Sequence, residues 1–181
     1  MKTLRPFYFK YFLLISFLFT LIWAIWVMPA VSHRLKQAAG FDEMLDTTPQ
    51  PRASKVYQYV DNIGEGGRKV LLEMYQFQDL IFPLAYGSFL FLLIAWLHKK
   101  CFPGSKKTWI LCLIPLLMVV FDYIENFSMV ALIQAYPDQL PGIAGRLFWF
   151  SVTKWVLGLI SGIVVVSTLC ILVIKKITRQ Q

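Results

Sequence analysis

Phe121-Asp122-Tyr123-Ile124-Glu125-Asn126-Phe127 sets two carboxylates and an amide inside a segment, residues 109–135, that carries no other charge. A charged side chain at that depth costs roughly 2.5 kcal/mol or more on insertion, so it faces the protein interior and often marks function. Asp122 and Glu125 are three residues apart and Asp122 and Asn126 four, so helical spacing puts all three on one face. Pro115, Met118 and Met129 extend that face. The rest of the chain reads as its housing.

Composition agrees. Hydrophobic residues make up 57% of the 181 and charged residues only 15%, where a soluble domain would carry about a quarter. Long uncharged runs assign the single domain, 1–181, to the membrane. The net charge of +8 sits in short basic clusters at the ends of apolar runs. That is a topology signal and excludes a nucleic-acid face. Cys101, Cys112 and Cys170 are odd in number, two in spans and Cys101 in a basic loop, so they form neither a disulfide framework nor a C-x-x-C pair.

Upstream, Lys2, Arg5 and Lys10 precede an apolar run. Ala30-Val31-Ser32 would suit signal cleavage, but the run has the length of a full span and reads as a retained first helix over about 11–29, ending near Pro29. Residues 31–78 form the one large polar segment. Thr48-Pro49-Gln50-Pro51 predicts extended chain or a turn, and Ser54 an N-cap for a short helix carrying Val56, Tyr57 and Val60. Gly64-Glu65-Gly66-Gly67 should break that helix. Val70, Leu71, Met74 and Phe77 then give a periodicity leading into the second span, about 79–97. Pro83 predicts a kink there. A basic turn, His98 to Lys107, leads to the third span, about 108–136. Pro137-Asp138-Gln139-Leu140-Pro141-Gly142 closes it, and the fourth span covers about 143–174. Gly158 and Gly162 permit close helix contact.

With four spans, Lys2, Arg5, Lys10, Lys99, Lys100, Lys106, Lys107, Lys175, Lys176 and Arg179 share one side. The positive-inside rule makes that side, with both termini, cytoplasmic and residues 31–78 an extracytoplasmic, partly helical cap. The expected fold is all-α, a four-helix transmembrane bundle in the plasma membrane. At 1.5 Å per residue, Asp122 lies about 22 Å, Glu125 about 27 Å, Asp79 about 28 Å and Lys154 about 31 Å from the inner edge. The buried polar groups therefore gather in the outer leaflet. A Glu125–Lys154 contact is expected, with Asp122, Asn126 and Asp79 near it.

Such a cluster either pins helices together or handles a ligand, ion or proton. Three acids facing one base favour a bound proton or cation. His33 and His98 fall on opposite sides, which argues against zinc or haem, so neither metal nor cofactor is expected. Ser88, Ser128, Ser151, Ser161 and Ser167 lack a histidine for a triad. Trp23 and Trp26 fit an interfacial belt. Trp149 and Trp155 fit it too, or wall a pocket beside Lys154.

Gly67-Arg68, Asp79-x-x-x-Pro83-x-x-Tyr86, Asp122-x-x-Glu125-Asn126, Tyr136-Pro137 and Lys154 together resemble a group of small four-span bacterial membrane proteins of uncharacterised activity. That resemblance implies the bacterial inner membrane. Asp79 with Phe82-Pro83 is similar, more loosely, to the emopamil-binding and sigma-2 receptor type of four-span protein, whose acids surround a sterol-like cationic ligand. The first span here lacks the acid that family carries near its outer end.

Three functions fit. The protein is a non-enzymatic membrane subunit or accessory factor with a structural cluster. Or it binds a lipid-like or cationic ligand between the spans through Asp79, Tyr86, Asp122, Glu125, Asn126 and Lys154. Or it is a membrane enzyme with Asp122 or Glu125 as acid–base group on a lipid. The bilayer is its implied partner, with a lipid-like ligand, a second copy or a larger membrane complex as the further candidates. A transporter would show an internal repeat.

Overall fold

A computed structural model of the protein describes residues 6–40, 44–45 and 52–178, which are all-α, with no strand among them. Lys2, Arg5, residues 48–51 and Arg179, each read above, lie outside the described residues, as do Asp42, Glu43 and Asp46. Tyr8–Ala39, Gly64–Cys101, Thr108–Ala135 and Pro141–Ile177 are long and apolar enough to cross a membrane. The protein is a multi-pass integral membrane protein built as a four-helix bundle.

The first helix does not end near Pro29. α1 (Pro6–Ile22) passes through a π-turn, Trp23–Val27, into α2 (Met28–Ala39). Within the wide turn the Met28 N–H reaches back five residues to the Trp23 carbonyl. That extra residue lets the chain pass Pro29, which has no N–H and would otherwise press on the preceding turn. Gly40, at φ 82°, finally ends the helix, its N–H bonded to the Lys36 carbonyl at 2.9 Å. Residues 31–39, assigned above to the polar cap, thus prolong the first helix.

α3 (Ala53–Asn62) starts two residues earlier than a Ser54 cap requires. Arg52 keeps an extended backbone and its carbonyl already accepts the Lys55 N–H, so Ser54 lies inside the first turn. The stretch 64–67 does break the helix, since α3 stops at Asn62 and Gly64 takes φ 62°, but α4 (Gly64–Glu73) starts there at once. A Cβ on Gly67 would lie 2.7 Å from Ile63 Cβ and 3.2 Å from Ala39 Cβ. Gly66 and Gly67 let α4 lie against Ala38 and Ala39 of α2, and that contact outweighs their poor helix propensity. A second π-turn, Met74–Gln78, carries α4 into α5 (Asp79–Cys101).

α6 (Thr108–Ala135) and α7 (Pro141–Ile177) form the closing hairpin, within three residues of the expected bounds. Gly158 packs on Met118, whereas Gly162 meets nothing within 4 Å. Only one half of the G-x-x-x-G pair is therefore used inside the chain.

The larger core lies at the cap end. Val31 and Leu35 of α2, Val56 and Val60 of α3, and Leu71 of α4 pack with Leu132 of α6 and Leu147 of α7. A latch closes it from outside: the Tyr136 hydroxyl donates to Asp61 Oδ1 at 2.7 Å, and Arg68 lies 3.9 Å over the Tyr136 ring. Arg68 also donates to the Val60 carbonyl at 3.0 Å. Gly67-Arg68 and Tyr136 of the resemblance pattern thus hold the cap down and take no part in the intramembrane cluster.

At the opposite, basic end, Phe9 packs with Ile94, Ala95 and Cys112. Cys101 is not in a loop but buried at the last position of α5, its thiol donating to the Thr168 carbonyl at 3.3 Å. Lys175 Nζ donates to the Cys101 carbonyl at 2.6 Å. Thr108 Oγ1 donates to the Ser105 carbonyl and accepts from His98 Nδ1 at 2.7 Å. The start of α1, the 102–107 turn and the end of α7 accordingly share one end of the bundle.

Candidate functional site

Three helices deliver the cluster. α6 presents Asp122, Glu125 and Asn126 inward, 7%, 2% and 2% exposed, while the intervening Ile124 and Phe127 face outward. The helical period alone produces that division. α7 brings Lys154, and the expected contact is present: Nζ lies 2.5 Å from Glu125 Oε2. The same Nζ lies 3.2 Å from Asp122 Oδ1. α5 supplies Tyr86, whose hydroxyl donates to the other Asp122 oxygen, Oδ2. One ammonium therefore serves two carboxylates, and Asp122 bridges α5 to α7.

Asp79 joins through its backbone. Pro83 has no N–H to give the carbonyl four residues before it, which is that of Asp79. Asn126 Nδ2 donates to that carbonyl at 3.2 Å, and the Tyr123 hydroxyl donates to the adjacent Leu80 carbonyl at 2.6 Å. The proline on α5 is thus answered by two side chains of α6. In hydrocarbon, where water cannot serve freed carbonyls, this is how a proline inside a span is tolerated. The Asp79 side chain is itself buried, so it is more than an interfacial residue at a span's end.

All six residues singled out in the sequence, Asp79, Tyr86, Asp122, Glu125, Asn126 and Lys154, fall in this region. Tyr123 and Ser151 were missed. Tyr123 is the next residue after Asp122 and sits on the flank of its face, so periodicity alone leaves it out. Ser151 lies one turn before Lys154, fully inside α7, and its Oγ has no hydrogen-bond partner among the described residues. Asn126 Oδ1 is in the same condition. Trp155 comes within 5.8 Å of Lys154 Nζ but is half exposed, and Trp149 is 64% exposed. Both lie along the outside and do not enclose a chamber.

No group of three or more His, Cys, Asp or Glu residues among the described residues is arranged to hold a metal ion. A cleft of about 690 Å³ exists elsewhere, between α1 and the opposite face of α5, and none of the six cluster residues lines it. Chemically, the cluster can hold its charges in place and pass a proton among a phenol, two carboxylates and an amine. No family model, no curated protein and no solved structure matches this chain.

Proposed function

We propose that the protein is a non-enzymatic membrane subunit or accessory factor, and that its buried cluster is a lock joining α5, α6 and α7. The observation that carries this reading is Lys154 Nζ, which meets Glu125 and Asp122 at once while Tyr86 takes the remaining Asp122 oxygen. The charges close on one another instead of pointing into a cavity. We further propose a bacterial inner membrane location with both termini cytoplasmic. Ten Lys and Arg residues and no acid belong to the basic end, while eight basic and all ten acidic residues belong to the rest, which gives +10 against −2.

A second reading, in which the cluster holds a proton or a cationic, lipid-like ligand, is favoured by two observations. Three buried carboxylates stand with one buried lysine, and Asn126 Oδ1 and Ser151 Oγ are buried without hydrogen-bond partners among the described residues. The two readings separate in one experiment: thermal unfolding in detergent of wild type, Glu125→Gln, Lys154→Met and the double variant, each with and without a bacterial lipid extract. A structural lock predicts a loss of about 3 kcal/mol in Lys154→Met, which strands two buried carboxylates, and a smaller loss in Glu125→Gln, where Lys154 keeps Asp122. It also predicts substantial recovery in the double variant and the same lipid-dependent shift in all four. Single variants as stable as wild type that have lost a lipid-dependent shift would overturn the lock and establish the ligand.

A further inference from the structure

The charges of the cluster do not balance. Asp79, Asp122 and Glu125 are all buried, and Lys154 is the cation buried with them. Three negative groups and one positive, all ionised, would leave a net −2 inside the hydrocarbon. An uncompensated charge is so costly there that a buried carboxyl keeps its proton instead.

Geometry decides which acid keeps it. Both oxygens of Asp122 accept hydrogen bonds, Oδ1 from Lys154 Nζ at 3.2 Å and Oδ2 from the Tyr86 hydroxyl. That carboxyl has no place for a hydrogen of its own. Glu125 Oε2 lies 2.5 Å from the same ammonium and carries the charge that pairs with it. Asp79, by contrast, stands beside a group that calls for a donor. Asn126 Nδ2 reaches the Asp79 carbonyl at 3.2 Å, which brings the same amide's Oδ1 up to that residue. An amide oxygen can only accept, and Asn126 Oδ1 is buried with no hydrogen-bond partner among the described residues. The titratable groups on the elements packed around Asp79 are Tyr75 of the second π-turn, Tyr86 on its own helix, Asp122, Tyr123 and Glu125 on α6, and Lys154 on α7. α1 and α2 carry no charged residue between Lys10 and His33.

We infer that the Asp79 carboxyl is a proton-binding site, occupied at neutral pH, and that its O–H donates to Asn126 Oδ1. The inference rests on the lock reading, since it takes Lys154 as engaged by Glu125 and Asp122. It names the further member of that lock. With Asp79 neutral, the net charge falls from −2 to −1, and the remaining excess lies on the carboxylates that Lys154 and Tyr86 hold. One residue of α6, Asn126, then serves Asp79 twice: its N–H takes the backbone carbonyl and its oxygen takes the side-chain proton.

The test is infrared spectroscopy of the full chain in micelles at neutral pH, with thermal unfolding alongside. The observable is the C=O stretch of a protonated carboxyl, which exposed acids, being ionised, do not give. Wild type should show this band, and it should move on exchange into deuterium oxide. Asp79→Asn should abolish it. Asn126→Leu should move it to higher frequency as the hydrogen bond is lost. Asp79→Asn keeps a neutral side chain with an N–H for Asn126, so its unfolding midpoint should match that of wild type, whereas Asp79→Leu should unfold at lower temperature. No band in wild type, undiminished intensity in Asp79→Asn, or a band unmoved by Asn126→Leu would each overturn the site. So would a midpoint of Asp79→Asn as low as that of Asp79→Leu. Failure of the lock itself is a separate result: no coupling between Glu125→Gln and Lys154→Met, with the Asp79 band still in place.

Discussion

At the scale of single residues, Asn126 shows how a polar side chain can be needed for a backbone reason. Its amide serves the Asp79 carbonyl that Pro83 releases. Asn126→Leu should leave that carbonyl unpaired and lower stability by about 1–3 kcal/mol. Pro83→Ala restores a backbone N–H to the same carbonyl, so it should rescue part of the loss. A double-mutant cycle from unfolding in micelles checks this, and additive values would break the link between the two residues. Outside the spans, Tyr136 carries a pH dependence. Its bond to Asp61 holds the phenol above the ordinary 10.0, with Arg68 opposing more weakly. Because the folded value is raised, the latch's contribution is fully present below pH about 10 and is lost as pH rises through the higher folded value. Tyrosinate absorbance of wild type minus Tyr136→Phe should show one step above that ordinary value. A step at or below it would show that Asp61 does not hold the hydroxyl.

At the scale of elements, glycines decide which helices touch. Gly67→Ala should push α4 off α2 and cost about 1–3 kcal/mol, since Ile63 and Ala39 are both too close for a methyl group. Gly162 faces open space, so Gly162→Ala should be neutral or stabilising by up to about 1 kcal/mol. Gly87 is the contact point of α5 with Val119 of α6, so Gly87→Ala should destabilise and Val119→Ala should restore it. Unfolding midpoints of these variants in micelles test the set. A loss in Gly162→Ala matching that in Gly67→Ala would mean that a second copy or another partner packs on the open glycine. The helix starts and stops at this scale were only partly legible. Pro29 and the glycines at 66 and 67 carry breaking propensities, yet a π-turn before one and close packing around the others carry the helices through, whereas Gly64, at φ 62°, marks the turn between α3 and α4.

At the scale of the whole molecule, the four apolar helices and the basic end were readable because hydrocarbon accepts few charges and the chain must obey that locally, residue by residue. The orientation proposed here has its own test. With Cys101, Cys112 and Cys170 replaced by serine, Ser105→Cys should react with an impermeant maleimide only after the cells are opened, and Gln139→Cys should react in cells whose outer membrane alone has been made permeable. The reverse pattern would invert the threading. The candidate cluster was legible too, because Asp122, Glu125, Asn126 and Lys154 are expensive in an apolar run and must find one another at matching depth.

Amino-acid order by itself determined the all-α class, the number of spans, the cap and the Glu125–Lys154 meeting, since each follows from local cost and helical period. Tertiary structure alone decided that Lys154 also takes Asp122, that Asn126 answers Pro83, that Tyr136 latches the cap to α3 and α4, and that α1 leaves an apolar cleft against α5. Those outcomes depend on how neighbouring helices rotate about their axes. That rotation is set by small residues, π-turns and prolines acting together, and no single stretch of the chain encodes it.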